Sequence, residues 1–238
     1  MKPTLLLFLF FCCAFSSELM AQPQDVIESD ELTVISNKIE DNITRLNNIS
    51  APLQVAKRTM KGIYLDSEWK SSAVYTKDNA VLNCSARFNI YKNRIEIKLG
   101  EEVRMLHANK VEGVLVNESL FIYLESGDEG LTGVRGFYEV LAEGKITLLK
   151  KYKLELYNSG GTALHPNLGN QKEYRNTQEL FYGKEGEGAK KFKKGKKGME
   201  ELFGANYEKI KAYADENKIG FKKEKDLIQI FDWYNKAQ

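Results

Sequence analysis

The chain has 238 residues, 42% of them hydrophobic and 29% charged, and a formal net charge of only +2. That balance supplies material for a core and offers no bulk charge with which to grip nucleic acid. Two histidines and three cysteines leave little for zinc ligation or for thiol and imidazole catalysis.

The chain opens "MKPTLLLFLFFCCAFSSELMAQPQ", with one lysine, an apolar run from Leu5 to Phe15, and small and polar residues up to Ala21. This order is that of a secretory signal peptide over residues 1–21, and the run is too short for a membrane anchor. Cleavage after Ala21 leaves Gln22 as the mature N-terminus. Lipidation at Cys12 or Cys13 is disfavoured, because Phe11 and Cys12 stand where a small residue belongs. The expected location is therefore periplasmic, secreted or cell-surface. Removing the leader leaves 217 residues and one cysteine, Cys84, too few thiols for an internal disulfide. Cys84 is expected to be a buried small hydrophobe. Four Asn-x-Ser/Thr triplets, at Asn42, Asn48, Asn83 and Asn117, matter only in a eukaryotic source.

After the leader comes a helical arm, residues 22–50. Leu32, Ile35, Ile39, Ile43 and Leu46 recur at spacings of three and four, which predicts a helix over Asp30–Asn47 with Ser29 as its cap. From Ile63 to Tyr157 the period becomes two. "RIEIKL" alternates Ile95, Ile97 and Leu99 with Arg94, Glu96 and Lys98, and "YKLELY" repeats the pattern from Tyr152. Strands with one apolar and one charged face predict an antiparallel sheet solvated on one side. Turns are expected at Lys77–Asn79, Tyr91–Asn93, Gly100–Glu102 and Glu143–Lys145, and long loops over 126–133 and 158–171. A last hairpin, "ELFY" to "AKKFKK", closes a β domain over residues 51–197. Residues 198–238 return to helical spacing: Met199, Leu202 and Phe203 stopped by Gly204, then a helix capped by Asn206, then a third carrying Leu227, Phe231 and Tyr234. The fold class is α+β, mainly β, an antiparallel hairpin meander forming a sandwich or partial barrel.

Chemistry-bearing motifs are scarce. His107 and His165 have no Cys or His at ligand spacing, so no metal or cofactor is expected. Asp128 and Glu129 are the nearest approach to a carboxylate pair, and a carboxylate-dependent hydrolase is the third functional reading. "KKFKKGKKG", Lys190 to Gly198, resembles a phosphate loop but has Lys197 where Ser or Thr is required. Residues 184–197 carry a local net of +5, which leaves about −3 for the rest of the chain. Lys190, Lys191, Lys193, Lys194, Lys196 and Lys197 form the candidate binding cluster for an anionic glycan or membrane surface. The cluster has no arginine and only Phe192 as an aromatic, so specific phosphate or base reading is not expected. The competing interpretation is a solvated strand-to-helix junction.

Two segments together carry a family resemblance: Tyr64-Leu65, Trp69 and Asn89-Ile90-Tyr91-Lys92-Asn93, and the tail from "KKFKKGKKGMEELFG" to the final Tyr234-Asn235. They resemble a family of exported Bacteroidota proteins to which no activity is attached. The resemblance implies an envelope location and a scaffold role for the lysine run, and it carries over no catalytic residue. The departure is Asn79, where glycine is expected in the first turn. The leading functional expectation is a non-catalytic exported protein that binds or scaffolds an envelope protein or glycan.

Overall fold

The computed structural model describes residues 29–53, 62–125, 135–158, 172–184 and 188–237. Residues 1–21, expected to be a leader, and Asp128, Glu129 and His165 lie outside them. The chain forms two compact units, residues 1–42 and residues 43–238. Helix α1, Ser29–Ile49, supplies the described part of the first unit, and its last turns belong to the second.

Among the described residues, the second unit is built on one antiparallel sheet of eleven strands: β1 (Ser50–Pro52), β2 (Lys70–Thr76), β3 (Val81–Asn89), β4 (Arg94–Leu99), β5 (Glu102–Leu106), β6 (Val111–Val116), β7 (Ser119–Leu124), β8 (Gly136–Ala142), β9 (Ile146–Asn158), β10 (Lys172–Lys184) and β11 (Lys190–Lys191). Their spatial order is β1-β5-β4-β3-β2-β6-β7-β8-β9-β10-β11, two meanders joined where β2 pairs with β6. The expected α+β, mainly β, hairpin meander is what the chain adopts. Asn79, Asn93 and Asn117 sit in hairpin turns with φ of 61°, 46° and 56°. Asparagine tolerates this left-handed region better than most residues, so Asn79 supplies the geometry expected of glycine.

The β5–β6 connection shows how the sheet bends. β5 and β6 are four strand spacings apart in the sheet order, about 19 Å if flat. Only His107 and a 3-10 turn, Ala108–Lys110, join them, and such a turn advances about 2 Å per residue. The β2–β6 region must therefore curl, and Leu106 and Val111 do meet in one core with Val74, Phe88, Ile95, Ile97 and Phe121. Ile49 at the end of α1 joins that core. Arg104, 5% exposed, closes it at the helix terminus by donating to the Ser50 carbonyl and Oγ and to Asn47 Oδ1, the position where a cation offsets the helix dipole.

A second core lies between β8–β10 and the helices α2 (Lys196–Phe203), α3 (Tyr207–Asn217) and α4 (Glu224–Lys236). Met199, Ile210, Leu227, Ile230 and Phe231 are fully buried there against Leu148 and Leu180. Strand β9 serves both cores from one face, with Leu148 in the helical core and Tyr152 in the curled one. Its other face sets Leu149 beside Tyr138 and Phe181.

Three local expectations change. The charged faces of the strands are not simply solvated: Glu96 is wholly buried on the outer face and Lys151 is buried on the face of Lys153, while Lys150 is buried on the apolar face between Leu148 and Tyr152. Asn206 makes no side-chain cap and ends a 3-10 turn, Gly204–Asn206, that runs directly into α3. The last hairpin keeps only two residues in its second strand; the next residue, Phe192, still donates its N–H to the Leu180 carbonyl while its ring packs on Phe231.

Candidate functional site

The lysine run is a strand-to-helix junction, and local backbone demands fix its shape. Lys190 and Lys191 pair with Tyr182 and Phe181 across the hairpin. Lys191 Nζ donates to Glu179, which also binds Lys153, and these hydrogen bonds hold the Glu179 carboxyl below the usual range. Phe192 is 5% exposed, so the one aromatic in the run is unavailable for stacking on a sugar or base. Gly195 turns the chain at φ +100°, and a Cβ on Gly198 would stand 1.7 Å from the Lys193 carbonyl oxygen. Helix α2 then starts at Lys196, so Lys196 and Lys197 occupy its first turn.

The run does not stand alone. The Gly195 N–H donates to the Phe221 carbonyl at 2.7 Å, which ties the junction to the α3–α4 linker. That linker carries Lys218, Lys222 and Lys223. Together with Lys196 they line a cavity of about 480 Å³ whose one acidic wall residue, among the described residues, is Asp226. Lys193, Lys194, Lys196, Lys197, Lys218, Lys222 and Lys223 are all exposed. Among the described residues only Lys196 of these seven has an ion pair, a loose 3.7 Å contact with Glu200. Sequence reading singled out residues 190–197 but missed the second lysine group. The composition of "KIGFKKEK" was visible, whereas its proximity depends on a backbone hydrogen bond that no pattern announces.

Two buried charge networks are the other concentrations of ionisable groups. On the outer face of β3 and β4, Glu96 accepts from Arg94, Arg87 and Asn89 at 2.8–3.1 Å and from the Tyr64 hydroxyl at 3.0 Å. The Arg87 guanidinium lies 3.9 Å from the Tyr64 ring centre and 4.2 Å from that of Trp69. Burial alone would raise the Glu96 carboxyl, but the Arg94, Arg87 and Asn89 hydrogen bonds outweigh it and hold the group below the usual carboxylate range. Tyr64 moves the other way, raised by burial and by the Glu96 charge.

Between the two cores, Lys150 bridges Glu139 at 3.1 Å and Glu224 at 2.8 Å. Glu139 also accepts from Tyr152 at 2.5 Å and from Ser119 at 2.7 Å. Burial opposes charge on both partners. The Glu224 and Glu139 carboxylates nevertheless raise Lys150, and the Tyr152 and Ser119 hydroxyls with Lys150 lower Glu139. An ammonium and a carboxylate stabilised in this way make a poor nucleophile and a poor general base near neutral pH. Burial pushes the Cys84 thiol up to about 11, which suits its half-buried place beside the curled core and not nucleophilic work.

A smaller cavity of about 230 Å³ opens beside the β6–β7 turn, walled by Leu65, Asp66, Lys70, Arg87, Asn117 and Ser119. Lys70 is already paired with Asp66 and Glu68, and Ser119 with Glu139. His107 follows β5, and among the described residues no cluster of three His, Cys, Asp or Glu side chains could hold a metal. Nor is any described helix long and apolar enough to cross a membrane. Family models, curated proteins and solved structures return no match to this chain.

Proposed function

We propose that the protein is a non-catalytic exported component of the cell envelope that works by binding or scaffolding a partner. The observation that carries this reading is the internal pairing of the two buried charge networks, around Glu96 and around Glu139 and Lys150. Glu96, Glu139 and Lys150 each have their charge matched inside the fold, which favours the charged form of each. The uncommitted charge lies on the surface. Export rests on the pattern of the first 21 residues, and the Bacteroidota resemblance points to the same compartment. Affinity capture of the mature chain from native envelope tests the reading. A single saturable component, protein or glycan, recovered in reciprocal capture is the expected result. Turnover of a small substrate by the purified chain without any such component would overturn it.

A second reading is favoured by the exposure of Lys193, Lys194, Lys196 and Lys197. It makes the junction a polyanion-binding surface driven by charge and counterion release. Retention on heparin that falls steeply with salt, and disappears when these four become Gln, is the expected behaviour. Retention unchanged by the substitutions would sink it.

A further inference from the structure

The larger cavity is a more selective feature than the lysine run beside it. Four lysines from three segments line it: Lys196 at the start of α2, Lys218 at the end of α3, and Lys222 and Lys223 just before α4. Lys218 holds the left-handed conformation, φ +55°, that glycine or asparagine usually takes at a helix end. The backbone N–H groups of Gly195 and Gly220 are already used, by the Phe221 carbonyl and by Asp226 at 2.7 and 2.9 Å. The ammonium groups of Lys218, Lys222 and Lys223 are therefore the wall's principal unspent donors, and Lys196 has only its loose contact with Glu200. Against Asp226 alone they leave a local excess of three positive charges. At about 480 Å³ the space falls within the roughly 300–1,000 Å³ typical of small-molecule sites, whereas the smaller cavity of about 230 Å³ does not.

We propose that this cavity binds a compact, multiply charged phosphate group, carried either by a soluble oligophosphate or by a phosphorylated lipid head group. The donor type decides between anions. A planar carboxylate is matched best by the two-pronged guanidinium of arginine, and among the described residues no arginine lines this cavity. Lysine is a compact point charge with three donors free to rotate, and several of them can surround a tetrahedral anion without a fixed plane. Charge spread over more than one phosphate matches the excess of three better than a single monoanion does. The assignment rests on the reading of the chain as a binding protein and deepens it by naming a ligand class and its place.

Isothermal titration of the mature chain with sodium tripolyphosphate, at about 20 and about 200 mM salt, tests the proposal, since exposed charges feel such a change in screening. One site is expected, with affinity that falls steeply as salt rises. The triple variant Lys218→Gln, Lys222→Gln, Lys223→Gln weakens it about thirtyfold, at a few-fold per exposed charge pair. Asp226→Asn strengthens it, and Lys92→Gln, on the β3–β4 turn and not in the cavity wall, leaves it unchanged. If circular dichroism shows the triple variant unfolded, the double variant Lys222→Gln, Lys223→Gln replaces it, with a loss of about tenfold expected. Vesicles of phosphatidylcholine with and without phosphatidate distinguish the sources. Binding to the phosphatidate vesicles that the variant loses assigns a lipid head group, and binding of tripolyphosphate alone assigns a soluble ligand. No heat with millimolar tripolyphosphate at low salt, or equal affinity in wild type and variant, overturns the site. In that event, envelope capture shared equally by wild type and variant leaves the general binding reading standing.

Discussion

The two buried charge networks solve the same problem with different reach. Glu96 is served by its neighbours: Arg87, Asn89 and Arg94 all lie on β3 and β4, within nine residues of it. The network is the product of one hairpin, with Tyr64 and Trp69 laid over it. Lys150 instead gathers Glu139 from β8 and Glu224 from α4, which lies more than seventy residues further along the chain. The first network seals a surface that the hairpin already defines. The second pins the start of α4 to the sheet at the point where β9 passes from one core to the other. Each network keeps one partner in contact with water, Arg94 at 26% and Glu224 at 33% exposed, but the first holds two cations to one acid whereas the second rests two acids on the single cation of Lys150. A loss from the second should therefore be the more costly.

The largest expected effect is that of Lys150→Met. Glu139 keeps Tyr152 and Ser119 but loses its cation while only 12% exposed. Breaking a buried pair from one side costs about 3–5 kcal/mol, most of it the penalty of the charge left behind. Urea unfolding should show that loss. Adding Glu139→Gln should restore part of it, because the orphaned charge goes with the carboxylate. A double variant no more stable than Lys150→Met would mean that the helix contact through Glu224 carries the energy. The comparison between the two networks would then have to be recast as one of tertiary reach alone.

The same contrast explains what could be read from the residues. The alternation in "RIEIKL" and the turn residues around Asn79 and Asn93 placed the hairpins, because period and turn chemistry are local. That alternation also misled. It assigned Glu96 to a solvated face, whereas two arginines and an asparagine on the same face close over it. Lys150 gave no signal at all, since a bulge between Val140 and Ala142 hides its cross-strand pairing with Glu139 and its other partner, Glu224, is remote in sequence. The candidate site divides the same way. Lys190 to Lys197 stood out as composition, but the fold spends Lys191 on Glu179 and Phe192 on the core. Lys218, Lys222 and Lys223 reach the same place only because the Gly195 N–H meets the Phe221 carbonyl.

Glu96→Gln should cost less and should carry a pH signature. The glutamine keeps the shape and some hydrogen bonds but leaves Arg87 and Arg94 without their counter-ion, a loss of about 2 kcal/mol at neutral pH. The carboxyl of Glu96 sits below its usual range in the folded protein, so its contribution is fully present above the unfolded value of about 4.3 and fades as pH falls through the lower folded value. Wild type and variant should therefore differ at pH 7 and converge as acid is added below about pH 4, where the wild-type carboxyl takes up its proton. Glu139 is depressed in the same sense and remains in both proteins, so both still lose stability in acid and only the difference between them isolates Glu96. Lys150 acts at the other end of the scale: its folded value is raised, so its contribution persists below the unfolded lysine value near 10.4 and is lost only in strong base. Denaturant midpoints taken from pH 7 down to about pH 3 measure the convergence. A gap that stays constant across that range would show that Glu96 contributes through packing and neutral hydrogen bonds, and the outer network would then differ from the Lys150 network in kind as well as in reach.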